Sequence, residues 1–190
     1  MSEITEIRWH GRGGQGAKTV ALLFADAALA TGKHVQAFPE YGPERTGAPV
    51  RSFNRLSDAP ITLHCSVDCP SIVVVLDETL CETVPITEGL PDDGTLIINT
   101  KENSAYYIKK LNFKGKVFTV DASTIAEQEI GMNKPNTPMF GALVKATGLL
   151  DFTKMISDTE KKLKTKFAHK PEVVQGNVNA IKRAYEEVKQ

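Results

Sequence analysis

The beginning of the chain alternates between strand-like and helix-like spacing of its apolar residues. Residues 4–9 predict a short strand, and residues 34–38 are again extended and partly apolar. Between them, apolar residues recur three and four positions apart, as in a helix that ends near Gly32: Val20, Leu23, Phe24, Ala27 and Ala28. A strand, a helix and a second strand in this order require a crossover, so the pattern predicts that the two strands form a parallel pair.

The rest of the pattern predicts an α/β fold. The continuous apolar run 72–76 is typical of a strand that is buried on both faces. The other predicted strands are residues 50–56, 61–65, 95–99 and 116–120, and the predicted helices are residues 103–110, 122–130, 136–150, 158–167 and 177–189. No repeat, low-complexity tract or linker interrupts this order. We therefore expect a single domain over residues 1–190, in which helices cover a mostly parallel or mixed sheet.

Charge and composition narrow the classes of partner. The chain has 23 Lys and Arg residues against 23 Asp and Glu residues, so its overall charge gives no support for binding to nucleic acid or to an anionic membrane. The first residues carry no basic lead followed by an apolar core, and the run 72–76 is far too short to span a membrane. We expect a cytoplasmic protein.

The cysteines do not have the spacing of a metal site. Cys65, Cys69 and Cys81 follow one another as C-x3-C and C-x11-C, which matches neither a zinc pair nor the close run that binds iron-sulfur clusters in ferredoxins. We expect ordinary thiols that are buried or half-buried, and no metal bound by this chain.

A glycine-rich turn separates the first strand from the first helix: Gly11, Arg12, Gly13, Gly14, Gln15 and Gly16. Its glycines satisfy the Rossmann-like pattern G-x-G-x-x-G, which lets backbone N–H groups and a helix N-terminus approach an anion. A dinucleotide is the first candidate, but the acidic residue that would hold a ribose, Glu40, lies 24 residues past Gly16 and follows a proline. A different anion, a subunit contact, or glycines that only allow close packing remain as alternatives.

A stiff, charged loop follows the second strand. Residues 39–49 contain three prolines and two glycines, too many for a helix or a central strand. The loop holds two carboxylates, a phenol and a guanidinium within six consecutive residues: Glu40, Tyr41, Gly42, Pro43, Glu44 and Arg45. Loops of this kind usually recognise a ligand or a partner, so we predict these residues and the glycine turn as the binding site.

Individual side chains in these two segments have competing interpretations. Arg12 and Arg45 are the best candidates to bind a ligand, with a solvated or inter-subunit salt bridge as the rival role. Glu40 and Glu44 are better suited to bracing the loop or an interface than to acid–base catalysis. Tyr41 is suited equally to stacking on an adenine and to filling a pocket of a neighbouring subunit. His10, beside the turn, is expected to be a packed residue at the end of the strand rather than a proton carrier.

Together, the glycine turn and the loop resemble the gamma subunit, or equivalent fused domain, of the pyruvate and ketoisovalerate ferredoxin oxidoreductases. The resemblance covers nearly the whole chain. It continues through residues 53–57, the strand ending Val75-Leu76-Asp77, the helix start at residues 136–143 and the segment 177–180. The substrate is left open among pyruvate, a branched 2-oxoacid, oxalate and an aryl glyoxylate.

The resemblance implies a thiamine-diphosphate-dependent oxidative decarboxylation of a 2-oxoacid, usually with capture by coenzyme A and with electrons passed to ferredoxin. It implies partner subunits of the alpha, beta and delta types, which hold thiamine diphosphate and [4Fe-4S] clusters. The chain alone is then expected to bind no cofactor and to be inactive, and to help shape the active-site entrance or the coenzyme A site. The alternatives are a free-standing NAD(P)- or flavin-binding protein and a purely structural subunit.

Overall fold

A computed structural model describes residues 4–40 and 46–190 and arranges six strands of this part of the chain in one sheet. The strands are β1 (Thr5–Arg12), β2 (His34–Pro39), β3 (Pro49–Ser57), β4 (Ile72–Val75), β5 (Thr95–Asn99) and β6 (Lys116–Val120). The helices are α1 (Ala17–Leu29), α2 (Leu80–Thr83), α3 (Ser104–Leu111), α4 (Ala122–Ile130), α5 (Asn136–Thr147), α6 (Phe152–Lys166) and α7 (Pro171–Glu187). The predicted α/β fold with a mixed sheet is confirmed.

The sheet order is β2-β3-β1-β4-β5-β6, with β1, β4, β5 and β6 parallel and β3 antiparallel to both of its neighbours. The predicted pairing of the first two strands is therefore wrong. They run in the same direction, but β3 lies between them. β3 is buried from Ser52 to Ser57, as a central strand requires, whereas β2 is only partly buried and forms the edge.

The predicted strand at residues 61–65 is also wrong, because this segment is irregular. Its backbone carbonyls accept hydrogen bonds from side chains of the sheet rather than from a neighbouring strand: the Gln36 amide donates to Leu63, and Arg55 donates to Cys65. Cys65 and Cys69 lie in this surface segment and are exposed, which corrects the expectation of buried thiols. Cys81 is half-buried, and burial raises the pKa of its thiol to about 12.

Helices cover both faces of the sheet, with one hydrophobic core on each face and a smaller cluster between α6 and α7. On one face, α1, α4, α5, α6 and α7 pack against Ile7, Trp9 and Val74, and on the other, α2 and α3 pack against Val73 and Val75. Successive side chains of β4 enter the two cores alternately, so β4 is buried on both faces, as its apolar run predicted.

The ends of several helices differ from their predicted positions. Helix α6 begins at Phe152 behind an Asp151 side chain that accepts from the Lys154 N–H, and α7 begins at Pro171. Both helices therefore start six residues before their predicted positions, at a capping Asp and a first-turn Pro that are common helix-start signals. Helix α5 ends at Thr147, three residues before its predicted end, and is capped by Gly148, which has a positive φ of 64°.

On the face that carries α2 and α3, no described helix covers β1, β3 and β2, and buried arginines hold irregular segments against this part of the sheet. Arg55, 1% exposed, donates to the carboxylate of Glu6 at 2.7 Å and to the carbonyls of Cys65 and Ser66. Arg8, 2% exposed, donates to the carbonyls of Ile86 and Glu88. In this part of the face, these charged side chains take the place of a packed helix.

Two further features concern helix packing and the sheet edges. A Cβ atom on Gly141 of α5 would lie 2.2 Å from the carbonyl oxygen of Ile181 on α7, so this glycine sets the spacing of the two helices.

Lys189 and Thr119 exchange backbone hydrogen bonds at the outer edge of β6, whereas no described strand pairs with the outer edge of β2. None of the helices in the described ranges has the length and hydropathy needed to cross a membrane.

Candidate functional site

The glycine turn is a compact connection between β1 and α1. Gly14 and Gly16 have φ values of +98° and +85°, which side chains rarely allow. A Cβ atom on Gly16 would also lie 2.7 Å from the side-chain nitrogen of Asn136 at the start of α5. Gln15 closes the turn, because its N–H donates to the Arg12 carbonyl and its side-chain oxygen accepts from the Arg12 N–H. Backbone geometry and packing therefore both require glycine here.

Arg12 joins the glycine turn to the loop that follows β4. Its guanidinium donates to Asp77 at 3.2 Å, to the Thr79 hydroxyl at 2.7 Å and to the Gly47 carbonyl at 3.1 Å. Gln15 donates to the same Asp77 oxygen at 2.8 Å. Burial alone would raise the pKa of Asp77, but hydrogen bonds from Thr79 and Gln15 and the Arg12 charge together lower it. Asp77 is thus an ionised anchor for the turn.

This network lies where ligands of parallel-sheet proteins usually bind. The chain leaves β1 for a helix on one face of the sheet and leaves β4 for a helix on the other face, which creates a crevice at the carboxyl ends of the two strands. Arg12, Gln15, Asp77 and Thr79 bridge these strand ends. Their side chains occupy the crevice in which a dinucleotide would lie. In addition, Glu40 follows β2, and β3 separates β2 from β1, so the acidic residue does not follow a strand adjacent to the turn. Both facts argue against a dinucleotide site.

An open cleft of about 460 Å³ lies on the other side of the glycine turn. One wall consists of the turn and the first residues of α1, and the other consists of the ends of β2 and β3 with Thr46. Reciprocal backbone hydrogen bonds of Gly13 with Ala48 and Gly47, at 2.9 and 3.1 Å, hold the walls together. The volume is within the range of small-molecule sites in proteins.

The cleft is rich in groups that bind anions. The N-terminus of α1 opens onto it without a side-chain cap, and an exposed Lys18 has no ion pair among the described residues. Thr19 and Ser52 add hydroxyl groups. On the opposite wall, Arg51 forms a two-point ion pair with Glu40, and the hydrogen bond that its guanidinium donates to Glu40 is the main reason that the pKa of Arg51 is raised. Helix N-termini with nearby cations and hydroxyl groups are typical phosphate sites.

The structure brings together only part of the predicted site. Five of the predicted residues line the cleft: Arg12, Gly13, Gly14, Gly16 and Glu40. Gly11 is packed against Leu76 and Ala17 instead, and Gln15 faces Asp77. Tyr41, Gly42, Pro43, Glu44 and Arg45 lie outside the described residues. A ligand-binding role for any of these residues stays a prediction.

Sequence reasoning missed Lys18 and Arg51. A signal for Lys18 was present, because Lys and Thr directly after a glycine turn and inside the first turn of a helix are well placed for a phosphate. Arg51 gave no such signal. It reaches the cleft because β3 pairs with both β1 and β2, which sets Arg51 against His10 and Ser52 against Pro39.

His10 is buried beneath the Arg51 end of the cleft. Its Nε2 accepts a hydrogen bond from the Nε of Arg8 at 3.0 Å, so the imidazole is neutral and carries its proton on Nδ1. Burial, followed by the positive charges of Arg8 and Arg51, lowers the pKa of His10 to about 3. This geometry fits a packed strand residue better than a proton carrier.

His10 should make stability depend on pH. Its pKa in the unfolded chain is about 6.5, so its contribution to stability is complete above that pH and is lost as the pH falls toward 3. Between pH 8 and pH 5 we expect a loss of about 2 kcal/mol from this residue. Urea denaturation of the wild type and of His10→Gln, which keeps an acceptor for Arg8, measures it. A pH dependence equally steep in the variant would contradict the assignment.

Comparison with known proteins identifies the family. The family profile described as pyruvate ferredoxin/flavodoxin oxidoreductase matches residues 6–187. The chain belongs to this oxidoreductase family. The pyruvate synthase subunit PorC of Thermotoga maritima is 51% identical over 97% of this chain and 94% of its own length. The common gamma subunit of the pyruvate/ketoisovalerate oxidoreductases of Pyrococcus abyssi is 44% identical over 95% of both chains.

A solved structure agrees with these relatives. The crystal structure of the pyruvate oxidoreductase subunit PORC from Thermotoga maritima superimposes with a TM-score of 0.85, at 48% identity over 98% of both chains. The resemblance to the gamma subunits of this oxidoreductase family is thereby confirmed. Within residues 4–40 and 46–190, no group of three or more His, Cys, Asp or Glu side chains is arranged to hold a metal ion.

Proposed function

We propose that this chain is the gamma-type subunit of a cytoplasmic thiamine-diphosphate-dependent 2-oxoacid:ferredoxin oxidoreductase, and that its cleft receives a phosphate-bearing part of coenzyme A. Alpha-, beta- and delta-type subunits then hold thiamine diphosphate and [4Fe-4S] clusters. Membership of the family and the similarity to two gamma-type relatives over almost their whole length support the assembly. The anion-binding geometry of the cleft supports the coenzyme A contact.

The observation that carries the coenzyme A contact is the position of Lys18. This lysine lies in the first turn of α1, where its charge adds to the partial positive charge of the uncapped helix N-terminus. Coenzyme A is the phosphorylated reactant of the proposed reaction, whereas a 2-oxoacid offers only a carboxylate and a carbonyl. An anion site with hydroxyl donors on both walls therefore suits coenzyme A better than the 2-oxoacid.

The residues of this chain contribute binding and orientation to the proposed reaction. Thiamine diphosphate in a partner subunit supplies the electron sink for decarboxylation. Lys18, Thr19 and Arg51 would hold phosphate oxygens, while the Arg12–Asp77 network keeps the glycine turn in the shape that opens the cleft. Arg45 stays a predicted ligand of the same anion.

Replacing Lys18 by glutamine should weaken coenzyme A binding in the assembled complex. A charge-assisted contact at a partly solvated site predicts a rise in the coenzyme A concentration for half-saturation of about five- to tenfold. Reduction of the clusters by 2-oxoacid in a single turnover without coenzyme A should be unchanged. Steady-state saturation curves and stopped-flow absorption measure the two quantities.

Lys33→Gln is the matched control, because Lys33 follows the other end of α1 and pairs with Asp58 away from the cleft. It should leave the saturation curve unchanged. Unchanged saturation in an intact Lys18→Gln complex would remove the cleft from the coenzyme A site and favour a purely structural role for this subunit.

A further inference from the structure

The Glu40–Arg51 ion pair occupies one wall of the cleft. Both oxygens of Glu40 accept from the Arg51 guanidinium, with 2.7 Å between Oε1 and Nη2. This two-point geometry is the one that arginine uses to bind a phosphate group. The carboxylate therefore presents to Arg51 the same pair of oxygens that a ligand phosphate would present.

The ion pair is only partly shielded from water. The side chain of Arg51 is 40% exposed and that of Glu40 is 45% exposed. Ion pairs with this exposure add little to stability, because water solvates both charges when they separate. Replacement of the Glu40 carboxylate by another anion on Arg51 therefore costs little free energy.

The surroundings of Arg51 favour keeping an anion on it. Burial is the main cause that lowers the pKa of Arg8 and His10, and Arg51 lies close enough that its charge lowers the pKa of both further. Arg8 itself is fixed by the carbonyls of Ile86 and Glu88 and cannot turn toward an anion in the cleft. Of these two arginines, only the partly exposed Arg51 can reach an anion in the cleft, and Glu40 is the anion that neutralises it.

We propose that Glu40 is a built-in competitor for the anion site, and that it makes the cleft selective for phosphate over carboxylate ligands. A free carboxylate offers Arg51 nothing that Glu40 lacks, and Glu40 has the advantage of being attached to the same chain. A phosphate group carries more charge and also engages Lys18 and the α1 N-terminus, so it displaces Glu40. The carboxylate of the 2-oxoacid substrate of the same enzyme therefore does not bind in the cleft. This inference rests on the proposed coenzyme A contact.

Glu40→Gln tests the proposal in the assembled complex. Removing the competitor should lower the coenzyme A concentration for half-saturation by about two- to fivefold. Sodium acetate, used as a simple carboxylate probe, should inhibit the variant competitively with coenzyme A at concentrations that leave the wild type unaffected. Asp58→Asn removes a similar exposed carboxylate that pairs with Lys33, and it should change neither quantity.

A double-mutant cycle gives a second measurement. In an Arg51→Gln complex, the additional Glu40→Gln replacement should not lower the coenzyme A concentration for half-saturation, because the guanidinium for which Glu40 and the phosphate compete is absent. A raised or unchanged half-saturation in Glu40→Gln, with Lys18→Gln still weakening binding, would overturn the inference and leave Glu40 as a brace of the loop. If neither Lys18→Gln nor Glu40→Gln changes the coenzyme A dependence, the proposed coenzyme A contact itself fails and the inference fails with it.

Discussion

Replacing Arg55 by methionine is expected to lower the free energy of unfolding by about 3–5 kcal/mol. The guanidinium is 1% exposed and binds the Glu6 carboxylate and two backbone carbonyls of the segment at residues 58–71. Methionine fills a similar volume but leaves Glu6 without its cation and the carbonyls without a donor. Urea denaturation measures the loss of stability, and hydrogen exchange should show the largest rise in residues 58–71.

Arg51→Gln is the matched control for this experiment. Arg51 lies on the same strand and the same sheet face, but its ion pair with Glu40 is partly solvated. Its replacement should cost less than about 1 kcal/mol. Equal costs at the two positions would show that burial of Arg55 is not what makes it important.

Adding atoms at Gly141 should separate α5 from α7 and destabilise the protein. A Cβ atom would lie 2.2 Å from a backbone carbonyl oxygen of α7, and a backbone group cannot rotate away as a side chain can. Alanine gains up to about 1 kcal/mol in helix propensity, which the overpacking outweighs. We expect a net loss of about 2 kcal/mol for Gly141→Ala and about 3 kcal/mol or more for Gly141→Val, measured by thermal and urea denaturation.

Gly148→Ala separates this packing effect from backbone strain. Gly148 has a φ of +64°, but a Cβ atom there meets nothing within 4 Å. Replacing Gly148 by alanine should lower the free energy of unfolding by about 1–2 kcal/mol because of the backbone strain, and a valine at this position should add no steric clash with a neighbouring helix. A stability that rises in Gly141→Ala would contradict the packing role of Gly141.

Much of the fold was predictable because its strongest signals are local. The apolar run that became β4 and the helical spacing that became α1 depend on nearby residues alone. The position of β3 did not follow from such signals, because it depends on pairing between β1 and residues about 45 positions later. The segment at residues 61–65 has the composition of a strand, but its carbonyls are taken by Gln36 and Arg55.

The candidate site was predictable in its location and less so in its chemistry. Four residues of the glycine turn line the cleft with Glu40, whereas Gly11 and Gln15 do not, and ligand binding by any of them stays a prediction. Arg12 is engaged with Asp77, a residue 65 positions away, and such a contact has no local signature. Arg51 joins the cleft through strand pairing, so its position becomes visible only when β3 is placed between β1 and β2.

The different edges of the sheet limit how this chain can aggregate. Lys189 occupies the outer edge of β6 at Thr119, while the outer edge of β2 has no strand partner among the described residues. Growth of a fibril by strand addition needs two open edges, one for each neighbour. Two copies that pair through β2 present only their β6 edges outward. Edge pairing would therefore end at a dimer instead of continuing into a polymer.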